Sequence, residues 1–173
     1  RYAFVLLVAG YSLLHLSPQA AAGVNSVHHS MIVELDPEGR NLNVRDIMTI
    51  QGSGEATFLL APNFVITGFR INDQPAPQNR HGDALRLDLG EEGAHRISLE
   101  YTGRLSRPTS ENRRFDRVPQ IASEAGSYLS PGAAWHPLFR DIAASYKITL
   151  SLPETQKAVV PGNLVEEGIE AGR

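Results

Sequence analysis

From Val27 onward, apolar and polar residues alternate with a period of two. Val27, His29, Met31, Val33 and Leu35 fall on one side of an extended chain. His28, Ser30, Glu34 and Asp36 fall on the other, and only Ile32 breaks the rule. Asp36-Pro-Glu-Gly39 reads as a turn, because proline at its second position presets φ and glycine at its fourth frees the exit. A second strand is predicted over Leu42–Ile50. Its apolar spacing slips between Val44 and Ile47, which predicts a bulge near Arg45-Asp46. The two strands form an antiparallel hairpin.

Gln51-Gly-Ser-Gly54 breaks the chain. A third strand is predicted over Glu55–Leu60, closed by Ala61-Pro62, and a fourth over Phe64–Ile71, ended by Asn72-Asp-Gln-Pro75. Leu85, Leu87 and Leu89 alternate with Arg86 and Asp88. His95, Ile97, Leu99 and Tyr101 alternate with Arg96, Ser98 and Glu100, and Gly90-Glu-Glu-Gly93 is predicted to join these two runs as a hairpin. Tyr146, Ile148, Leu150 and Leu152 mark a later strand stopped by Pro153. Ala158–Val160 and Leu164–Glu167 predict a last hairpin around Pro161-Gly-Asn163. The fold class is all-β, an antiparallel β-sandwich or saddle-shaped sheet, rather than α/β.

Two stretches lack the alternation. Gly103–Pro119 is polar and carries Arg104, Arg107, Arg113, Arg114 and Arg117. Glu111 and Asp116 dilute the charge, so a solvated loop is preferred to a basic binding patch. Ile121–Phe139 is apolar, punctuated by proline, and holds the single tryptophan, Trp135. A loop of this kind is ordered only if packing pins it.

The chain of 173 residues suits one domain, and fifteen glycines with eleven prolines suit a turn-rich β protein. A net charge of −3 offers no basic excess for a phosphate backbone, which argues against nucleic acid as a partner. The absence of cysteine excludes disulfides, thiol catalysis and cysteine-ligated zinc. At the start, Arg1 precedes an apolar run to Leu16, then Ser17-Pro-Gln-Ala-Ala-Ala-Gly23. This resembles a secretory signal, with Ala20 and Ala22 preceding cleavage before Gly23. The end of an upstream membrane helix, or a buried element of the domain, are the other readings. The predicted organisation is a signal peptide or membrane-helix end over 1–22 and a β domain over 23–173. The β domain is expected to be extracytoplasmic, either periplasmic, secreted or membrane-tethered.

Catalytic signals are weak. His28 and His29 point to opposite faces of a strand and cannot chelate one ion together. No H-E-x-x-H, no H-x-H on a strand and no G-x-S-x-G elbow occurs. Glu91-Glu92 and Glu166-Glu167 read as solvated turns. Glu124 is the one acid near the apolar Trp135 loop, where a raised pKa would point to function.

At that loop a family resemblance emerges. The order of "HHSMIVELDPEGRNLNVRDIMTI", "FLLAPNFVITGFRINDQP", "HRISLEYTGRL" with its Y-x-G, "GSYLSPGAAWHPLF" and "YKITLSLPETQKAVVPGNLVEE" resembles the N-terminal domain of aminopeptidase N-like zinc metallopeptidases, the membrane alanyl aminopeptidase family of gluzincins. The resemblance runs from about residue 28 to 168. It implies a β saddle that packs on a thermolysin-like catalytic domain and walls the N-terminal side of a peptide substrate. It also implies that zinc, its ligands and the general base lie in that other domain, with no cofactor held here. Better-known members carry an aromatic-Pro-Cys-x-Asp-Glu-Pro segment where this chain has Ser130-Pro-Gly-Ala-Ala-Trp-His-Pro137, so their substrate contacts do not transfer by position. Trp135-His136-Pro137 looks closer to a bacterial branch with a W-Y-P loop.

The expected function is a non-catalytic domain whose Glu124, Tyr128, Trp135, His136 and Phe139 face the catalytic domain or substrate, with Trp135 exposed. The alternative is a free-standing periplasmic β-sandwich that binds sugar or peptide on a platform of Trp135, Tyr128 and Phe139.

Overall fold

The structure, a computed structural model, describes residues 23–109 and 120–169. The predicted leader over 1–22 and Arg113, Arg114 and Arg117 of the polar tract lie outside the described residues. Strand β1 (Gly23–Asp36) turns through residues 37–40 into β2 (Asn41–Ser53), and the two pair antiparallel from Val27↔Ile50 to Asp36↔Asn41. The Asp36 carboxylate accepts the Gly39 N–H at 3.0 Å, which closes the turn. Gly54, at φ 66°, then swings the chain out of this sheet into β3 (Glu55–Leu59).

Next come β4 (Phe64–Ile71), β5 (Gln74–Pro75), β6 (Asn79–His81), β7 (Ala84–Asp88) and β8 (Gly93–Arg104). Beyond residue 119 come β9 (Ile121–Ser123), β10 (Gly126–Tyr128), a 3-10 turn at Pro131–Ala133 and β11 (Ala144–Ser151). A six-stranded sheet has the order β11-β1-β2-β8-β4-β5, a three-stranded sheet β3-β7-β6, and β9 and β10 form a small ladder. The predicted all-β class holds, and among the described strands the pairings are antiparallel with one exception. β11 joins β1 in parallel, Val27↔Ala144 through Glu34↔Ser151. A parallel pair needs a long crossover, and residues 105–143 supply it.

The inward faces of the two larger sheets share one core. Leu42, Met48, Ile50, Ile97 and Leu99 from the six-stranded sheet cluster with Phe58 and Leu85 from the other, and all seven are fully buried. Each such side chain contributes about 1.5–3 kcal/mol by leaving water. The Y-x-G motif acquires a structural reason here. Gly103 pairs with Phe64 across β8 and β4, and a Cβ on Gly103 would lie 2.3 Å from the Phe64 ring. The missing side chain lets that ring lie flat on the strand, edge-to-face with Tyr101 at 5.4 Å.

Three expectations are corrected. No register shift occurs at Arg45-Asp46. The pairing of β2 is regular there on both sides, and shifts occur instead at Val24/Ser26 and at Ile66/Gly68. The apparent slip arose because Asp46 occupies an inward position and is completely buried, so the polar residue imitates a change of phase. Second, Gly90-Glu-Glu-Gly93 does not close a hairpin. β7 pairs with β3 and β6, whereas β8 pairs with β2 and β4, so the turn carries the chain from one sheet to the other. His95 Nε2 lies 3.2 Å from the Gly52 carbonyl and 3.1 Å from that of Glu91, and pins this crossing. Third, Ala158–Val160 and Leu164–Glu167 form no strands, and Val159, Leu164 and Val165 stand in solvent.

A structural residue missing from the sequence reading is Arg80. Its guanidinium donates to the carbonyls of Phe64 at 2.7 Å, Leu60 at 2.9 Å and Ala61 at 2.8 Å, where the chain passes between sheets. One planar cation gathers all three carbonyls at the corner, of which that of Ala61 also accepts the Phe64 N–H at 3.1 Å.

Candidate functional site

The Trp135 loop is fastened to the sandwich by its backbone. Leu59 and Leu138 exchange N–H···O bonds at 2.8 and 2.9 Å, and the Ala61 N–H donates to the Ala134 carbonyl at 2.8 Å. Gln120 Nε2 donates to the Ala133 carbonyl. The Tyr101 hydroxyl donates to the Trp135 carbonyl at 3.1 Å from inside the core. Ala134 takes a left-handed φ of 47°, which turns the chain so that the next side chain enters the protein. Phe139 packs on Phe58 with ring centroids 5.7 Å apart.

These contacts correct the expectation that Trp135 is exposed. It is 9% exposed and belongs to the domain's own core, as does Phe139 at 5%. Tyr128, on β10, is 51% exposed. The three aromatics therefore present no common platform. Glu124 is exposed at the β9–β10 turn, and its backbone carbonyl accepts from Gln156 Nε2 at 3.1 Å. It lines an open groove with Pro37, Glu38, Arg40, Arg107 and Pro108, on a different surface element from Trp135. Desolvation, then the neighbouring Arg104 and Arg107, lower the Arg40 pKa.

Beneath the loop lies a polar cluster that sequence reasoning missed. His29 on β1 and Asp46 on β2 are both buried on the inward face. The register pairs His29 with Met48 and Asp46 with Met31, so the two stand diagonally across the hairpin. His29 Nδ1 lies 2.7 Å from Asp46 Oδ2, and the imidazole N–H donates to the carboxylate. His29 Nε2 and Asp46 Oδ1 are buried with no hydrogen-bond partner among the described residues. The ring of His136 meets His29 edge-on at 5.6 Å and Trp135 at 4.8 Å. Burial, then His29, lower the His136 pKa from 6.5, against smaller opposing effects from its bond to the Pro137 carbonyl and from Asp46. Burial, reinforced by Asp46, raises the Tyr101 pKa well above 10.0, so this hydroxyl remains a donor. The available signal was two polar residues, His29 and Asp46, at inward positions of adjacent predicted strands.

Of the five residues predicted to share a surface, the structure brings Trp135, His136 and Phe139 together in one loop. It leaves Tyr128 and Glu124 on the separate β9–β10 hairpin. Among the described residues, no group of three or more His, Asp or Glu is arranged to hold a metal ion. The described residues therefore do not fit a zinc centre.

No family model matches the chain, and no curated protein matches it. Solved structures do. An M1 zinc metallopeptidase from Deinococcus radiodurans, bound to a Tyr-Ser-Ala substrate, superposes with a TM-score of 0.69 at 16% identity, covering 87% of this chain and 37% of that one. A second structure of an M1 zinc metallopeptidase from the same organism gives 0.69 at 14% identity with the same coverage. The fold is one carried by M1 zinc metallopeptidases. The chain spans little more than a third of the length of these two structures.

Proposed function

We propose that residues 23–173 are the non-catalytic N-terminal β domain of a secreted or membrane-tethered zinc aminopeptidase-like protein. In this reading the domain docks on a thermolysin-like catalytic domain of the same polypeptide and shapes the cleft for a peptide substrate. Zinc resides in that other domain. The reading is carried by the one-sided coverage of the fold match, which takes in 87% of this chain but 37% of an M1 zinc metallopeptidase. The burial of Trp135 narrows the surface that would face a catalytic domain. Exposed Tyr128 and Glu124 on the β9–β10 hairpin and the apolar side chains of Val159, Leu164 and Val165 remain available for it.

The gene sequence downstream of Arg173 tests this directly. An H-E-x-x-H motif with a later glutamate supports the reading, and a stop codon without one overturns it. The isolated chain is expected to leave aminoacyl amides intact, and chelator-sensitive hydrolysis by it would refute the assignment. Export is tested by the mature N-terminus, with Gly23 expected as the first residue in mass spectrometry of the secreted product.

A further inference from the structure

We propose that His29, Asp46 and His136 form a pH-operated latch that holds the Trp135-His136-Pro137 segment on the sheet and releases it on acidification. Three elements meet at the cluster: β1 supplies His29, β2 supplies Asp46, and the loop after the 3-10 turn supplies His136. Their contacts form a chain. Asp46 accepts from His29 at 2.7 Å, the His29 ring meets His136 at 5.6 Å, and His136 meets Trp135 at 4.8 Å.

The acceptors fix the tautomers. His136 Nδ1 lies 3.0 Å from the Pro137 carbonyl, which can only accept, so Nδ1 carries the hydrogen and any second proton goes to Nε2. His29 Nδ1 donates to the carboxylate, and its Nε2 is buried without a partner among the described residues. Asp46 and His29 are the charged or titratable groups that act on His136, and Tyr101 on β8 stays protonated. One carboxylate thus serves two imidazoles. His29 already occupies its Oδ2, and the hydrogen bond of His136 goes to the Pro137 carbonyl, so a proton on His136 places a positive charge at the cluster with no hydrogen bond to the carboxylate.

His29 is fixed on a strand and 1% exposed, whereas His136 is half-buried on a loop. The ring with a short path to water is the one that moves. Burial and His29 keep His136 neutral at neutral pH, where the latch is closed. Because Trp135 adjoins His136, releasing one ring loosens the other from the core. The latch is a property of this chain alone and does not depend on the aminopeptidase reading.

The single tryptophan reports on the latch. Emission from the whole chain is to be followed from about pH 8 to about pH 5 alongside far-UV circular dichroism. The expected result is a reversible loss of intensity with a red shift, centred below 6.5, while the circular dichroism is unchanged. His136→Gln is expected to abolish the step, and His28→Gln, on the solvent face of β1, to preserve it. Acrylamide quenching of the unsubstituted chain gives a reading that requires no variant to fold, with Trp135 expected to be more accessible at the acid end. Flat emission, unchanged quenching, a step that survives His136→Gln, or a step that coincides with loss of β structure would each overturn the proposal.

Discussion

The β1–β2 hairpin and the segment from residue 158 to 169 draw on the same residue types and end in opposite states. Met48 and Ile50 are completely buried, whereas Val159 is 98% and Val165 90% exposed. Both stretches carry turn residues and β-branched side chains. The hairpin has β11 and β8 hydrogen-bonded along its two outer edges and the β3-β7-β6 sheet contributing to the same core. The later segment is held at only a few points. Just before it Gln156 donates to the carbonyls of Ser123 and Glu124, and within it the Pro161 carbonyl accepts from the Tyr146 hydroxyl. β-propensity describes how well a side chain fits a pleated, covered surface, and it makes a strand only where a neighbour supplies that surface.

If the contrast is one of coverage, substitutions should separate the two regions sharply. The largest effect is expected at the shared core. Phe58→Ala removes a fully buried ring that packs on Phe139, and should cost about 3–5 kcal/mol in chemical denaturation. Arg80→Ala removes a donor from each of three carbonyls at the corner between the sheets, that of Ala61 keeping the Phe64 N–H, and should cost about 2–3 kcal/mol by the same measurement. Tyr101→Phe keeps the ring against Phe64 but leaves the Trp135 carbonyl without its donor, and should cost about 1–3 kcal/mol. A cost near zero would mean that the loop is held without the Tyr101 hydroxyl.

The next effect is a dependence on pH. His136 has a folded pKa below its unfolded value of 6.5, so the unfolded chain binds more protons as the pH falls through 6.5. The stability that this residue contributes is present above 6.5 and is lost progressively below it, until the folded pKa is reached. Melting temperatures measured across that window should fall more steeply for the natural chain than for His136→Gln. Smallest of all, Val165→Ala should change the stability of the chain by less than about 0.5 kcal/mol. A cost of a core-like size there would break the comparison, because it would require coverage of a side chain that stands in solvent.

Much of the sheet was legible because alternation is a direct image of a half-buried strand. Val27–Leu35, Leu85–Leu89 and His95–Tyr101 each announce their inward face. The polar cluster was hidden by the same rule. Asp46 in an inward slot reads as a phase error until His29 is seen standing diagonally beside it and accounting for its charge. Gly90 to Gly93 was readable as a turn, but a turn does not reveal whether the next strand returns to its neighbour or crosses to another sheet. Trp135 was misplaced for a related reason. An aromatic residue in a proline-rich loop suits a binding surface and a loop folded inward equally well. The left-handed Ala134 and the Tyr101 hydroxyl, distant in the chain, decide between them.

Side-chain alternation and turn chemistry by themselves determined that this protein is built of strands, where most of them run, and which side of each faces the core. Those are local properties, encoded within a few residues. Which strands become neighbours, that β11 joins β1 in parallel, that Trp135 packs inward and that His29, Asp46 and His136 share one buried site were decided only by the tertiary structure. Each of these depends on groups far apart in the chain satisfying one another's hydrogen bonds and charge, and no local pattern records such a meeting.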